Sequence, residues 1–78
     1  MPTVFLKNGY RFFFYSNDHE PVHIHIEKDG KTAKFYIDPI GLVKSRKFNS
    51  SELKEIRKLV TEEKNLINKK WYEFFNNK

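Results

Sequence analysis

Between residues 22 and 37 apolar and polar positions alternate one by one on either side of Asp29-Gly30: VHIHIEK (22–28) before it and KTAKFYI (31–37) after it. A period of two is that of a strand with one buried face. Asp-Gly suits a two-residue type I′ loop, in which both residues need positive φ. The register then follows. With Lys28 opposite Lys31, Glu27 faces Thr32, Ile26 faces Ala33, His25 faces Lys34, Ile24 faces Phe35, His23 faces Tyr36 and Val22 faces Ile37. Every apolar residue meets an apolar one, and a slip by one residue would undo the agreement. A preceding hairpin is predicted from TVFL (3–6) and YRFFFYS (10–16), rich in β-branched and aromatic residues and joined through Asn8-Gly9. Pro39-Ile40-Gly41 ends the fourth strand, and LVKSRKF (42–48) predicts a short basic strand at a sheet edge.

From Asn49 onward the period changes to 3.6. Asn49 with Glu52 three positions later reads as a capping box, and no Gly or Pro follows as far as Phe75. Leu53, Ile56, Leu59, Val60, Leu66, Ile67, Trp71 and Phe74 fall on one side, interrupted by Glu63. An unbroken helix of this length would run about 40 Å in a domain roughly 30 Å across. A break or kink is therefore expected near Glu63–Asn65, with Asn65 as a second cap, while the unbroken phase of the stripe argues for one continuous helix. Strands grouped before helices give an α+β fold. The expected architecture is an N-terminal antiparallel sheet of four to five strands, two hairpins plus a short edge strand, packed on one face by one or two C-terminal helices.

Length and composition narrow this further. Seventy-eight residues make a single domain, 1–78, close to the lower limit for one core. With no cysteine, neither disulfides nor a thiolate metal site can reinforce it. Eight Phe, four Tyr and one Trp supply the buried area instead. No apolar run reaches the roughly 20 residues of a membrane span, and MPTVFLKNGYR lacks the pattern of a signal peptide, so a cytoplasmic protein is expected. The net charge of +5 favours polyanions. However, 12 of the 15 basic residues are Lys beside seven Asn, a bias that an AT-rich coding genome also produces. Charge alone therefore does not name a partner.

The candidate chemistry lies on the sheet face that the helices leave uncovered. There the hairpin places His23, His25 and Glu27, and across from them Thr32, Lys34, Tyr36 and Asp38. With Phe12 and Phe14 inward, the preceding strand adds Arg11, Phe13 and Tyr15. Such a face can bind a phosphate chain, stack a base and move protons. In an acid–base reading, His23 and His25 deprotonate a ribose 2′-hydroxyl and protonate the leaving 5′-oxygen, without a metal, while Arg11 or Lys34 stabilises the phosphorane. In a metal reading, zinc is held by His23 and His25 with a third ligand from Glu27 or from His19 in the preceding loop, although Lys34 opposite His25 would repel a cation. In the plainest reading the histidines are polar surface, and Asn17, Asp18 and Glu20-Pro21 are turn formers. Trp71, Phe74 and Phe75 read as core or a partner-facing patch. Lys44, Arg46 and Lys47 read as edge protection. There is no Gly-rich phosphate loop, nucleophile elbow or helix-turn-helix motif.

The block FYSNDHEPVHIHIE, followed by a helix ending NKKWYEFF, resembles the small bacterial proteins of domain of unknown function family 4160, and the resemblance covers nearly the whole chain. Members similarly show an aromatic strand, then Asn-Asp/Glu-His, one or two prolines, a His-x-His strand and a helix bearing a Trp, matched here by Trp71. Where relatives often carry two prolines, this chain has Pro21 followed by Val22. The motif positions are Asn17, Asp18, His19, Pro21, His23 and His25. The resemblance also implies a small stand-alone protein encoded beside one of family 2442, a pairing that looks like a toxin–antitoxin module. The expected function is thus an RNA-acting component of such a module, a metal-independent ribonuclease or RNA binder. His23 and His25 would be its acid–base pair, His19 and Asp18 would position substrate, and Arg11, Lys34, Tyr15 and Tyr36 would bind RNA. Two alternatives stand beside it: a non-catalytic module that binds the neighbour-encoded protein, and a small zinc protein with His19, His23, His25 and Glu27 as ligands.

Overall fold

The computed structural model describes residues 3–75. Five strands, β1 (Thr3–Lys7), β2 (Tyr10–Phe13), β3 (His23–Lys28), β4 (Lys31–Ile37) and β5 (Ile40–Arg46), are followed by helices α1 (Ser50–Glu62) and α2 (Lys64–Phe75). The strands form one antiparallel meander in the order β1-β2-β3-β4-β5, and the two helices follow it, an α+β fold. None of the described helices is long and apolar enough to cross a membrane.

Both dipeptide turns have positive φ at both positions, Asn8 at 55° with Gly9 at 83° and Asp29 at 52° with Gly30 at 78°. Glycine is required at the second site of each because a side chain there would be strained. The β3–β4 register runs from Lys28 opposite Lys31 to His23 opposite Tyr36, as the alternation predicts. Val22 lies just outside β3, but its carbonyl still accepts from the Ile37 N–H at 3.4 Å.

That register gives the sheet two unlike faces. Tyr10, Phe12, Phe14, Ile24, Ile26, Phe35 and Ile37 are all almost fully buried against Ile56, Val60, Ile67 and Trp71 from the helices. Each such side chain contributes about 1.5–3 kcal/mol by leaving water. Around this core, sheet lysines reach the helices: Lys7 to Glu63 at 3.1 Å, and Lys31 to Glu52 at 2.7 Å. Glu63 breaks the apolar stripe in sequence because its carboxylate meets Lys7.

Tyr10 belongs to the same rim, donating its phenol O–H to Glu55 Oε1 at 2.9 Å. Burial first, then that bond and the negative charges of Glu55 and Glu52, push the phenol up to about 12. A folded-state value raised above the unfolded one means the contribution is complete below roughly pH 10 and is lost as pH rises from 10 toward 12. Alkaline titration followed by tyrosine ultraviolet absorbance should show one phenol ionising near pH 12, a step absent from Tyr10→Phe. No such late step in the native protein would contradict the buried pairing.

Asn49 caps α1 through the expected box, with the Glu52 N–H donating to Asn49 Oδ1 at 2.8 Å and the Asn49 N–H to Glu52 Oε1 at 3.0 Å. Such caps contribute about 1 kcal/mol. The helical stretch bends at Glu63, where φ is −104° and ψ is 17°. Asn65 is the second residue of α2 and is not its cap, because Glu63 occupies the junction. The expected reason for the kink also needs correction. The domain is 38 Å long, about the length of an unbroken 26-residue helix, so compactness did not force it. Beyond the junction Phe74 is 43% exposed and Phe75 packs on the core in its place.

Two bulges reset side-chain parity. On β1 the pairing shifts between Thr3 and Phe5, so that Phe5 stacks on Phe12 with ring centroids 4.3 Å apart. On β5 Leu42 lies opposite Phe35 but Lys44 opposite Lys34, leaving Val43 as the extra residue. Because side chains alternate, one extra residue transfers every later one to the other face. Lys44 and Arg46 thereby join Lys34 and Thr32 on the face away from the helices. The edge strand lies two residues earlier than the expected 42–48, running Ile40–Arg46 immediately after the Asp38-Pro39 turn.

Candidate functional site

On the face away from the helices, β2 contributes Arg11 and Phe13, which lie opposite Glu27 and His25 of β3. Phe13 is only 2% exposed although it is not part of the helix-facing core. The Arg11 guanidinium lies 4.3 Å above its ring, the Tyr15 ring stands at 5.2 Å and the His25 ring stacks at 5.5 Å. A small second aromatic cluster therefore supports His25 from below.

After Phe14 the chain leaves the sheet and doubles back. The Tyr15 N–H donates to Asp18 Oδ2 at 2.9 Å and the Asp18 N–H donates to the Tyr15 carbonyl at 3.1 Å. This local turn, of the kind short carboxylates favour, aims the Asp18 carboxylate at both strand histidines. Asp18 Oδ1 lies 3.2 Å from His23 Nε2, and Oδ2 lies 3.2 Å from His25 Nε2. Asp18, His23 and His25 side chains are 11%, 4% and 14% exposed. The three offer ligand atoms within 4.8 Å of one another.

The two imidazoles are not equivalent. His23 is sealed: its ring meets the Trp71 ring of α2 at 5.1 Å and the His25 ring edge at 5.0 Å, and its Nδ1 lies 2.9 Å from the Pro21 carbonyl. The expectation that both histidines lie on an open face therefore holds only for His25. His23 starts its strand where α2 and the doubled-back loop close over the sheet. Desolvation pushes His25 below its ordinary value, against the hydrogen bond and charge of Asp18 and with a smaller contribution from the neighbouring His23 and Lys34. Burial alone would raise Asp18, but the Tyr15 N–H and the two imidazoles outweigh it and hold the carboxyl below its usual range.

His25 borders a concavity of about 490 Å³ that Phe13, Tyr15, Lys34, Lys44 and Arg46 also line. Of the residues expected to contact RNA, Tyr15 and Lys34 line this concavity. Arg11 does not line it, because its guanidinium pairs with Glu27 and its Nε donates to Thr3 Oγ1 at 2.9 Å. That pair also occupies Glu27, which is not gathered with the histidines. Tyr36 is 39% exposed but stands outside the concavity. His19 is exposed and is not gathered with them either, while its neighbour Asp18 is. Asn17 is likewise exposed. Lys44 and Arg46, read from sequence as edge protection, are drawn into the site by the β5 bulge. Only their basic character, and not their facing, was available in the sequence.

The family model described as "Domain of unknown function (DUF4160)" matches residues 9–72, which include every residue of this site. No curated protein and no solved structure matches the chain.

Proposed function

Since the chain belongs to the DUF4160 family, whose description names no activity, we propose from the site itself that the protein binds RNA along the basic concavity of its outer sheet face. It does so as a component of a toxin–antitoxin-like pair, with the Asp18–His23–His25 centre beside the bound phosphodiester. The observation that carries this reading is the convergence of Lys34, Lys44 and Arg46 with Tyr15 and His25 around one concavity. Single-stranded RNA is bound by cations that follow its backbone and aromatic rings that stack its bases. Lys34, Lys44 and Arg46 supply the first and Tyr15 the second. A sheet face also suits RNA better than a duplex groove, because the helical charges are mixed in sign and present no basic stripe.

The test is binding of a single-stranded RNA oligonucleotide, followed by fluorescence anisotropy over a range of salt concentrations. Lys44→Glu and Arg46→Glu, both on exposed positions, should each weaken binding and lower the salt slope by at least about one counterion. If the double variant binds as the native protein does, the concavity is not the RNA site. A second reading, docking of a neighbour-encoded protein, is favoured by β5, a sheet edge on which Leu42 and Val43 are exposed. In that case the complex survives replacement of all three histidines and is broken by charged residues at Leu42 and Val43.

A further inference from the structure

The Pro21 carbonyl is an acceptor only, so the His23 nitrogen facing it at 2.9 Å, Nδ1, must carry a proton. In a neutral ring that leaves a bare lone pair on Nε2, the atom directed at Asp18. Among the described residues, this buried nitrogen has no partner with hydrogen-bond geometry, although Asp18 Oδ1 is only 3.2 Å away. A lone pair facing a carboxylate oxygen is repulsive. The nitrogen is shut off from water, with His23 only 4% exposed beneath Trp71. A cation between the two atoms removes the conflict, because both then donate electron pairs to it.

We propose that Asp18, His23 and His25 hold one divalent transition-metal ion, with zinc the best fit. Ligand atoms bonded at about 2.0–2.1 Å to a tetrahedral ion stand about 3.3 Å apart. A single oxygen, Asp18 Oδ1, stands 3.2 Å from His23 Nε2 and 3.3 Å from His25 Nε2. Two imidazoles and one carboxylate select zinc or its first-row neighbours over magnesium and calcium, which prefer oxygen. The surroundings also fit. His23 donates its other nitrogen to a backbone carbonyl, as a metal-bound histidine does to fix its ring, and Asp18 is oriented by the Tyr15 N–H. Three protein ligands leave one position for water or a substrate oxygen, the arrangement of catalytic zinc. Lys34, opposite His25, does not prevent this, because the Asp18 carboxylate cancels one charge of the ion. The site thus combines the two strand histidines of the sequence reading with Asp18, in place of His19 or Glu27.

The experiment uses untagged full-length protein stripped with a chelator, then titrated with Zn²⁺ alone by calorimetry and with Co²⁺ by visible absorption. One equivalent should bind, with a four-coordinate Co²⁺ spectrum. Asp18→Asn and His25→Gln should each weaken Zn²⁺ binding by more than about tenfold, while His19→Ala and Glu27→Gln leave it unchanged. Ring nitrogen resonances of the native protein give a readout that needs no variant: His23 and His25 Nε2 should shift on adding Zn²⁺ and His19 should not. Failure to take up one equivalent, unchanged affinity in Asp18→Asn and His25→Gln, or a shift of His19 in place of His23 would each overturn the assignment. Because no RNA is present, the result is independent of the RNA-binding reading, which can fail or stand by itself.

Discussion

Trp71→Ala is expected to remove a large part of the folding stability of the protein. Trp71 is 1% exposed and is the residue on which α2, the start of β3 and the end of β2 converge: its ring lies 4.3 Å from Phe75, 5.1 Å from His23 and 5.3 Å from Phe14. Truncating a buried Trp costs about 3–5 kcal/mol through lost transfer energy and the cavity left behind. A chain of this length has a total stability of about 4–12 kcal/mol, so the loss takes a large part of it. Trp71→Phe retains a ring and should cost about 1–2 kcal/mol while remaining folded. Urea titration followed by circular dichroism measures both. If Trp71→Ala loses less than about 1 kcal/mol, the indole is not the packing centre described. Since the indole packs against the buried His23 ring, the same substitution should also open the Asp18–His23–His25 centre to water.

What the sequence disclosed, and what it concealed, follows from the range of each interaction. The β3–β4 hairpin was legible residue by residue because its turn and its alternation constrain each other locally, and a wrong register is penalised at every pair. The inward placing of Phe12 and Phe14 entered only as a condition, because an all-aromatic strand shows no alternation from which to read its phase; the pairing of β2 with β3 and the burial of both rings meet it. Lys44 and Arg46 were not legible as site residues. Their facing depends on a single bulge at Val43, and nothing in LVKSRKF marks which residue will be the extra one. Asp18 is the more instructive case. Sequence reading gave it two roles, a turn former and, with His19, a residue that positions substrate; it does form the turn, bonded to Tyr15, and the same geometry delivers its free oxygen to two histidines five and seven positions later. Forming the turn and meeting the two histidines are compatible for Asp18, whereas His19, chosen because it is a histidine, is exposed. Glu63 looked like an interruption of the helix stripe because its partner, Lys7, is 56 positions away in the chain.

Phe13 offers the sharpest test of how the site is supported, because it is a buried residue on the face where polar groups were expected. Phe13→Ala should cost about 3–4 kcal/mol and remove the floor on which His25 stacks, so loss of function there would not separate folding from support. Phe13→Leu separates them. It refills most of the volume at a cost of about 1–2 kcal/mol, but it loses the ring that stacks on His25 and carries the Arg11 guanidinium. His25 would then be held on that side only by the Tyr15 ring, 4.6 Å away and nearly perpendicular. His23 is held instead by the Pro21 carbonyl and the Trp71 ring. In Phe13→Leu the His25 ring resonances should therefore broaden or move while those of His23 stay in place. Equal disturbance of both rings would show that the centre moves as one rigid unit, and an undisturbed His25 would show that the floor beneath it does not position it.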